Sequence, residues 1–275
     1  MKRYRHYTKD RAIVLSCFGS IIEQSKYEEL KLKLEQKFSD SDVFLAFSSR
    51  MVLKKLNKDK VIYKNLPQTL ADVDILGYKN IVVSSINLFP TDEHNYIQNI
   101  ADGFDSFSLA NIRLSDAILT KTKETTLFLN ELNQKVLKQV SKKDVANLYI
   151  IHGTPRLDNS GNSSVEYVFN YLQSFDNNFC CSLEGTYPYY AIKDNLISKI
   201  KNKGFEKVQI VPLLLVSGNH FIKDMNEIKE ELNSEFEASI VSSLTKSQNF
   251  NLIELDSIVD IISSNIATTI AKLGV

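Results

Sequence analysis

Apolar runs the length of one buried strand recur along this chain, each broken by a Gly or Ser turn and followed by apolar residues at helical spacing. No other feature constrains the fold as strongly. Strands that alternate with helices are joined by crossovers and so lie parallel in an α/β architecture. The clearest unit spans 207–225, KVQIVPLLLVSGNHFIKDM. Its first half, 207–216, reads as a buried strand and Ser217-Gly218-Asn219 as a turn. Phe221, Ile222 and Met225 form the apolar face of the helix that follows. His220 stands at the junction. Open parallel sheets bind ligands outside the carboxyl ends of their strands, so a polar residue delivered there is a candidate for chemistry.

The same reading applied along the chain predicts strands at 12–18, 42–47, 80–88 and 106–112, then again at 146–151, 179–183, 207–216 and 238–242. Helices are predicted at 21–38, after Ser48-Ser49 as caps, at 69–76 behind Pro67, at 92–100 and at 122–140. In the second half they fall at 164–173, 189–200, 221–232 and 252–273. The second half looks like a copy of the first. GYKNIVVSS at Gly77 lines up with GFEKVQIVP at Gly204, and Ser16 to Ser20 with Ile150 to Thr154. The expected fold is therefore two similar lobes, each a parallel four-stranded sheet flanked by helices, with a ligand cleft between them. The expected boundary lies near Lys142-Lys143-Asp144. It gives lobes 1–142 and 143–275, with the last helix a candidate to pack across both.

Lysine plus arginine and aspartate plus glutamate balance at 33 each, so no net field favours nucleic acid or an anionic membrane surface. Cys17, Cys180 and Cys181 lie in apolar runs without CxxC spacing, which argues for buried free thiols in a reducing cytoplasm and against structural zinc. No apolar run is long enough to span a membrane. MKRYRHYTKDRAIVLSCFGS has a faint likeness to an export leader, with Cys17 as lipid acceptor, but its short apolar stretch fits a first core strand better. The phosphate-binding GxxxxGK[ST], the dinucleotide GxGxxG and the GxSxG elbow are all absent from the sequence.

Three polar residues follow the best strands of the second half: His152 after NLYII, Glu184 after FCCSL, and His220 after PLLLVSGN. One βαβ step separates each pair, so the three should share one sheet edge. Two imidazoles and a carboxylate suit a first-row divalent metal, and they also accept protons near neutrality. Taken singly, each has an ordinary structural reading as a loop or turn residue. Tyr187, Tyr189, Tyr190 and Phe221 flank the same edge and could line a flat ligand or pack the core. Arg50, Lys54 and Lys55 follow the second strand and read as solvated charge or as partners for carboxylates. His6 and His94 read as surface residues.

The stretches VLSCFGS at Val14, AFSSRMVLKKL at Ala46, IIHGT at Ile150, SLEGTYP at Ser182 and PLLLVSGNHFIKDM at Pro212 carry a resemblance. By them the chain resembles the anaerobic sirohydrochlorin cobaltochelatases of the CbiK family, class II chelatases, over nearly its whole length. The resemblance implies a two-lobe chelatase fold. It places His152 and His220 on the family's metal-handling histidines and Glu184 on their acidic partner. Two departures stand out: Asn87 where the family carries His, and Asn219 where it carries Asp. The segment after Met225 also differs. The implied activity is insertion of a divalent metal, Co²⁺ first and Fe²⁺ or Ni²⁺ next, into sirohydrochlorin in cobalamin or tetrapyrrole biosynthesis. His152, Glu184 and His220 would hold the metal and take pyrrole protons. Phe18, Arg50, Tyr187 and Phe221 would meet the macrocycle. The metal is a substrate, no organic cofactor is expected, and the tetrapyrrole is the expected partner, with a homo-oligomer left open. Two alternatives remain. One is a non-catalytic haem-, tetrapyrrole- or metal-binding protein on the same scaffold. The other is a periplasmic solute-binding protein, which would need a cleavable leader.

Overall fold

The structure is a computed structural model that describes residues 5–58, 62–139, 144–243 and 249–274, with backbone alone at 137–139 and 220. Strands and helices alternate as β1 (Lys9–Cys17), α1 (Ser25–Lys37), β2 (Asp42–Phe47), α2 (Arg50–Leu56), α3 (Leu66–Ile75), β3 (Tyr78–Ser85), α4 (Asp92–Phe107) and β4 (Asn111–Leu114). Then follow α5 (Thr122–Gln139), β5 (Val145–Ile151), α6 (Asn162–Leu172), β6 (Asn178–Ser182), α7 (Tyr189–Asn202), β7 (Lys207–Pro212), α8 (Asn219–Leu232), β8 (Glu237–Ile240) and α9 (Asp256–Lys272). Two parallel four-stranded sheets result, ordered β2-β1-β3-β4 and β6-β5-β7-β8. The two orders are the same permutation, which bears out the internal repeat. Its markers also match: Gly77 and Gly204 hold φ of 80° and 79° just before the third strand of each sheet. Left-handed backbone of this kind ends a helix without a Cβ penalty.

The chain divides into one unit of Met1–Thr120 with Leu255–Val275 and a second of Lys121–Glu254. The division therefore falls at Thr120/Lys121 instead of near 142, and Lys142 and Lys143 themselves lie outside the described residues. Helix α5 belongs with the second unit because its polar side chains are tied there. Asn133 accepts hydrogen bonds from Asn178 Nδ2 at 2.9 Å and Tyr149 Oη at 3.2 Å, and Asn130 accepts one from Tyr171 Oη at 2.8 Å. Helix α9 belongs to the first unit, where Asn265 Nδ2 donates to the Ala117 carbonyl at 3.2 Å and Asp260 pairs with Lys37 at 2.5 Å.

The cores follow from the alternation. Ala12, Ile13, Val14 and Leu15 of β1 are wholly buried and Cys17 nearly so, which makes 12–17 a core strand and leaves Phe18 beyond it. In the second unit Leu148, Ile150, Val208 and Ile210 pack under Tyr189, Leu196, Phe221, Met225 and Leu232. Each large apolar side chain so buried stabilises by about 1.5–3 kcal/mol. Ser49 caps α2 by accepting from Val52 N, and Asn65 and Gln68 form a capping box that opens α3 one residue before Pro67.

Four expected boundaries shift. Strand β7 stops at Pro212, Leu213 N still donates to the Ile150 carbonyl of β5 at 2.8 Å, and 214–217 then bonds to 250–253. Leu252 N and Ile253 N bond the Leu214 and Leu215 carbonyls, and Ser217 N bonds Asn251 Oδ1 at 2.7 Å. Helix α4 runs past 100 to Phe107, since Ser108 N still bonds the Phe104 carbonyl at 2.9 Å, and β4 begins later than 106. Asp105 fixes that start by accepting from Ile112 N at 2.8 Å. The 252–273 helix is a short 3-10 turn (Leu252–Glu254) followed by α9. Among the described residues no helix is long and apolar enough to cross a membrane.

Candidate functional site

The carboxyl ends of β6, β5 and β7 lie side by side in the second sheet. They are the ends that deliver Glu184, His152 and His220. Hydrogen bonding between β5 and β6 continues past both strands: Leu183 N donates to the Ile151 carbonyl at 3.0 Å and Glu184 N to the His152 carbonyl at 2.9 Å. The backbones of His152 and Glu184 are thus joined directly. Both side chains are exposed. His152 Nδ1 lies 3.3 Å from the Gly153 carbonyl, so a proton there has an acceptor and the Nε2 lone pair is left free.

The loop after Glu184 is held tightly. Ser182 N donates to the Tyr187 carbonyl at 3.0 Å, the Ser182 hydroxyl bonds the Thr186 carbonyl, and Ser182 bridges to Pro188. Tyr187 takes a φ of 58°, a left-handed backbone that an aromatic residue seldom adopts. Its ring is 51% exposed and lies 6.1 Å from that of Phe169. Strain of this kind persists only where the surroundings over-determine it, and it concentrates at functional sites.

His220 occupies the second position of α8, behind Gly218 at the N-cap, and its side chain lies outside the described structure. Asn219 precedes it and is exposed. Phe221 differs from the expectation of a ligand-facing ring: it is 7% exposed and packed in the core cluster of the second unit. Tyr189 is likewise buried, whereas Tyr190 is exposed. Among the described residues no group of three or more His, Cys, Asp or Glu is spaced to hold a metal ion, a set that does not include the His220 side chain. His152 and Glu184 supply two donors of the type that first-row ions accept.

At the carboxyl edge of the first sheet, Phe18 after β1 is 50% exposed and Arg50 at the start of α2 is exposed. Asn87, beyond β3, donates from Nδ2 to Ser85 Oγ at 3.1 Å. The same Ser85 oxygen lies 2.8 Å from His94 Nδ1. His94 is therefore a partly buried member of a polar cluster and not the surface residue expected. Burial lowers its pKa below the ordinary histidine value, against the opposing pull of Asp116. Only Ser85 at a strand end and a His in the first turn of the next helix hinted at it, and that pattern is too common to single it out. The three cysteines are free and buried, and burial pushes each thiol pKa up.

Known proteins share this fold. The fold matches SirB from Bacillus subtilis, solved with Fe³⁺, at a TM-score of 0.67 and 15% identity, covering 96% of this chain and 97% of that one. It also matches the sirohydrochlorin chelatase SirB from Bacillus subtilis subspecies spizizenii, solved with cobalt, at a TM-score of 0.65 and 13% identity over 94% and 95% of the two chains. In sequence, the sirohydrochlorin cobaltochelatase of Salmonella typhimurium is 24% identical over 189 residues, 68% of this chain and 67% of that protein. The family model for cobalt chelatase (CbiK) matches residues 11–270. That span takes in both sheets, the His152 and Glu184 loops and the helix that bears His220, and by it the chain belongs to the cobalt chelatase (CbiK) family.

Proposed function

We propose that this protein is a sirohydrochlorin chelatase of tetrapyrrole biosynthesis that inserts a divalent metal into the macrocycle, with Co²⁺ as the leading candidate. The observation that carries the proposal is the direct backbone bond from Glu184 N to the His152 carbonyl at a shared strand edge. It joins the backbones of a histidine and a glutamate, both with exposed side chains, within a family of cobalt chelatases. Cobalt is further supported by the name of the Salmonella relative, which is 24% identical. The three buried free thiols suit a reducing cytoplasm.

Insertion exchanges the waters of the metal for pyrrole nitrogens and releases two protons. In our reading His152 binds the ion through Nε2, its Nδ1 proton directed at the Gly153 carbonyl. Glu184 supplies an anionic oxygen that offsets the metal's charge. His220 is the third ligand, delivered by the first turn of α8. Three protein ligands leave open positions for the macrocycle, and a site of that kind can release its ion where a closed structural site cannot. A carboxylate or an imidazole freed as the ion departs is the acceptor for the pyrrole protons. Tyr187 is the exposed residue of this unit proposed to meet the macrocycle. Ligation requires neutral imidazole, so protons compete with the metal for such a site.

The test is anaerobic absorbance with sirohydrochlorin and Co²⁺, repeated with Fe²⁺ and Ni²⁺. Catalysed loss of the free-base spectrum is expected for the parent and should be largely abolished in His152→Ala, Glu184→Gln and His220→Ala. Full activity in all three variants would refute the assignment. A spectral shift with no insertion above the uncatalysed rate would favour a tetrapyrrole carrier.

A further inference from the structure

The loops that carry His152 and Glu184 are interlocked at two glycines, each with a backbone carbonyl of the other loop in the space where its side chain would lie. Gly153 follows His152 with φ of 80°, and a Cβ built on it would lie 1.9 Å from the Glu184 carbonyl oxygen and 3.2 Å from Ser182 Cβ. Gly185 follows Glu184 with φ of 81°, and its Cβ would lie 2.1 Å from the Thr154 carbonyl oxygen. These are backbone contacts, so no side-chain rotation relieves them. The loops would have to part by on the order of 1 Å before a methyl group fitted. The bond from Glu184 N to the His152 carbonyl closes the same lock, and the folded-back segment from Ser182 to Tyr187 braces it from behind.

We infer that Gly153 and Gly185 are positioning residues that set the spacing of the His152 imidazole and the Glu184 carboxylate before any metal arrives. The inference rests on the chelatase reading for its ligand, a divalent first-row cation, and on backbone geometry for its mechanism. Coordination tolerates only about ±0.2 Å in ligand distance, so a shift near 1 Å at one of two joined ligands weakens the site instead of being absorbed. Changes one shell out from a metal typically lower affinity by roughly 10- to 100-fold. Gly204 provides an internal control, since it holds φ of 79° at the end of α7 with no atom within 4 Å of a built Cβ. Alanine there imposes the same left-handed strain without the clash.

The experiment is titration of Co²⁺ into the full chain under anaerobic conditions, read from the visible d–d bands. Sirohydrochlorin KM and kcat are measured alongside. Gly153→Ala and Gly185→Ala should weaken Co²⁺ binding by about 10- to 100-fold, with kcat falling and the macrocycle KM little changed. Gly204→Ala should bind Co²⁺ like the parent. Parent-like Co²⁺ affinity in both folded loop variants overturns the positioning role and leaves the chelatase reading standing. A parent that binds no Co²⁺ overturns the chelatase reading and this inference with it. Should the variants fail to fold, amide exchange in the metal-free parent decides. The Glu184 N–H should be protected, and exchange at the rate of an open loop would refute a lock formed before the metal binds.

Discussion

Replacing Asn133 with alanine tests why α5 belongs to the second unit. Asn133 is 3% exposed, and its Oδ1 accepts from two donors on the sheet, Asn178 Nδ2 at 2.9 Å and Tyr149 Oη at 3.2 Å. Asn178 in turn accepts from Asn147 Nδ2 at 3.0 Å, so the three amides form one buried chain across β5, β6 and α5. Alanine leaves two buried donors without their acceptor. A buried donor stranded in this way costs about 1–3 kcal/mol. Two of them give roughly 2–6 kcal/mol, and water entering the small cavity reduces the upper end, so a loss of about 2–4 kcal/mol is expected. Asn130 is the comparison: one bond to Tyr171 Oη at 2.8 Å, part-buried, for which alanine should cost about 1 kcal/mol. Urea unfolding followed by far-UV circular dichroism measures both. Exchange of the β5 and β6 amides shows whether the loss falls in the second unit. An Asn133→Ala protein within about 0.5 kcal/mol of the parent would refute the assignment of the α5 anchor to this amide chain.

Two further outcomes follow from groups whose surroundings shift their titration. The His94 ring should titrate below the ordinary histidine range in a ¹⁵N NMR pH series, because burial disfavours its charged form, and Asp116→Asn should lower it further by removing the one opposing charge. Between the folded pKa and the unfolded value of about 6.5 the unfolded chain binds more protons. His94 therefore makes stability rise with pH across that window and fall as the medium is acidified. A ring titrating at or above the ordinary value would contradict the burial argument. Cys17, Cys180 and Cys181, buried with raised thiol pKa values, should react with a thiol reagent at neutral pH only as fast as the chain unfolds, and rapid labelling of the native protein would show otherwise.

Much of this architecture is written locally. Apolar runs and the glycines that stop helices are short-range signals, and they placed β1, β2, β5 and β6 within a few residues and exposed the repeat through Gly77 and Gly204. What was hidden depends on partners far along the chain. The Lys207 strand looked continuous through Val216 because 213–216 is apolar, yet beyond Leu213, which still donates to Ile150 of β5, the backbone partners of Leu214 and Leu215 are Leu252 and Ile253. Helix α5 looked like the end of the first repeat, while the groups that claim it, Tyr149 and Asn178, come later in sequence. At the site, His152 and Glu184 could be found as polar residues after strands flanked by Gly. Helical spacing already put Phe221 on an apolar face, and at 7% exposure it is core, whereas Tyr187 lies in a turn where no periodicity applies and is 51% exposed. The left-handed backbone at Tyr187 was invisible for the same reason.

The central claim is that His152 and Glu184, with His220, hold the metal that is inserted. It is tested most directly by anomalous diffraction at the cobalt edge from crystals grown anaerobically with Co²⁺ and no macrocycle. The account predicts one dominant peak about 2.1 Å from an imidazole nitrogen of His152, with a Glu184 oxygen in its coordination sphere. A dominant peak away from both residues, in protein that inserts Co²⁺ into sirohydrochlorin, would contradict it.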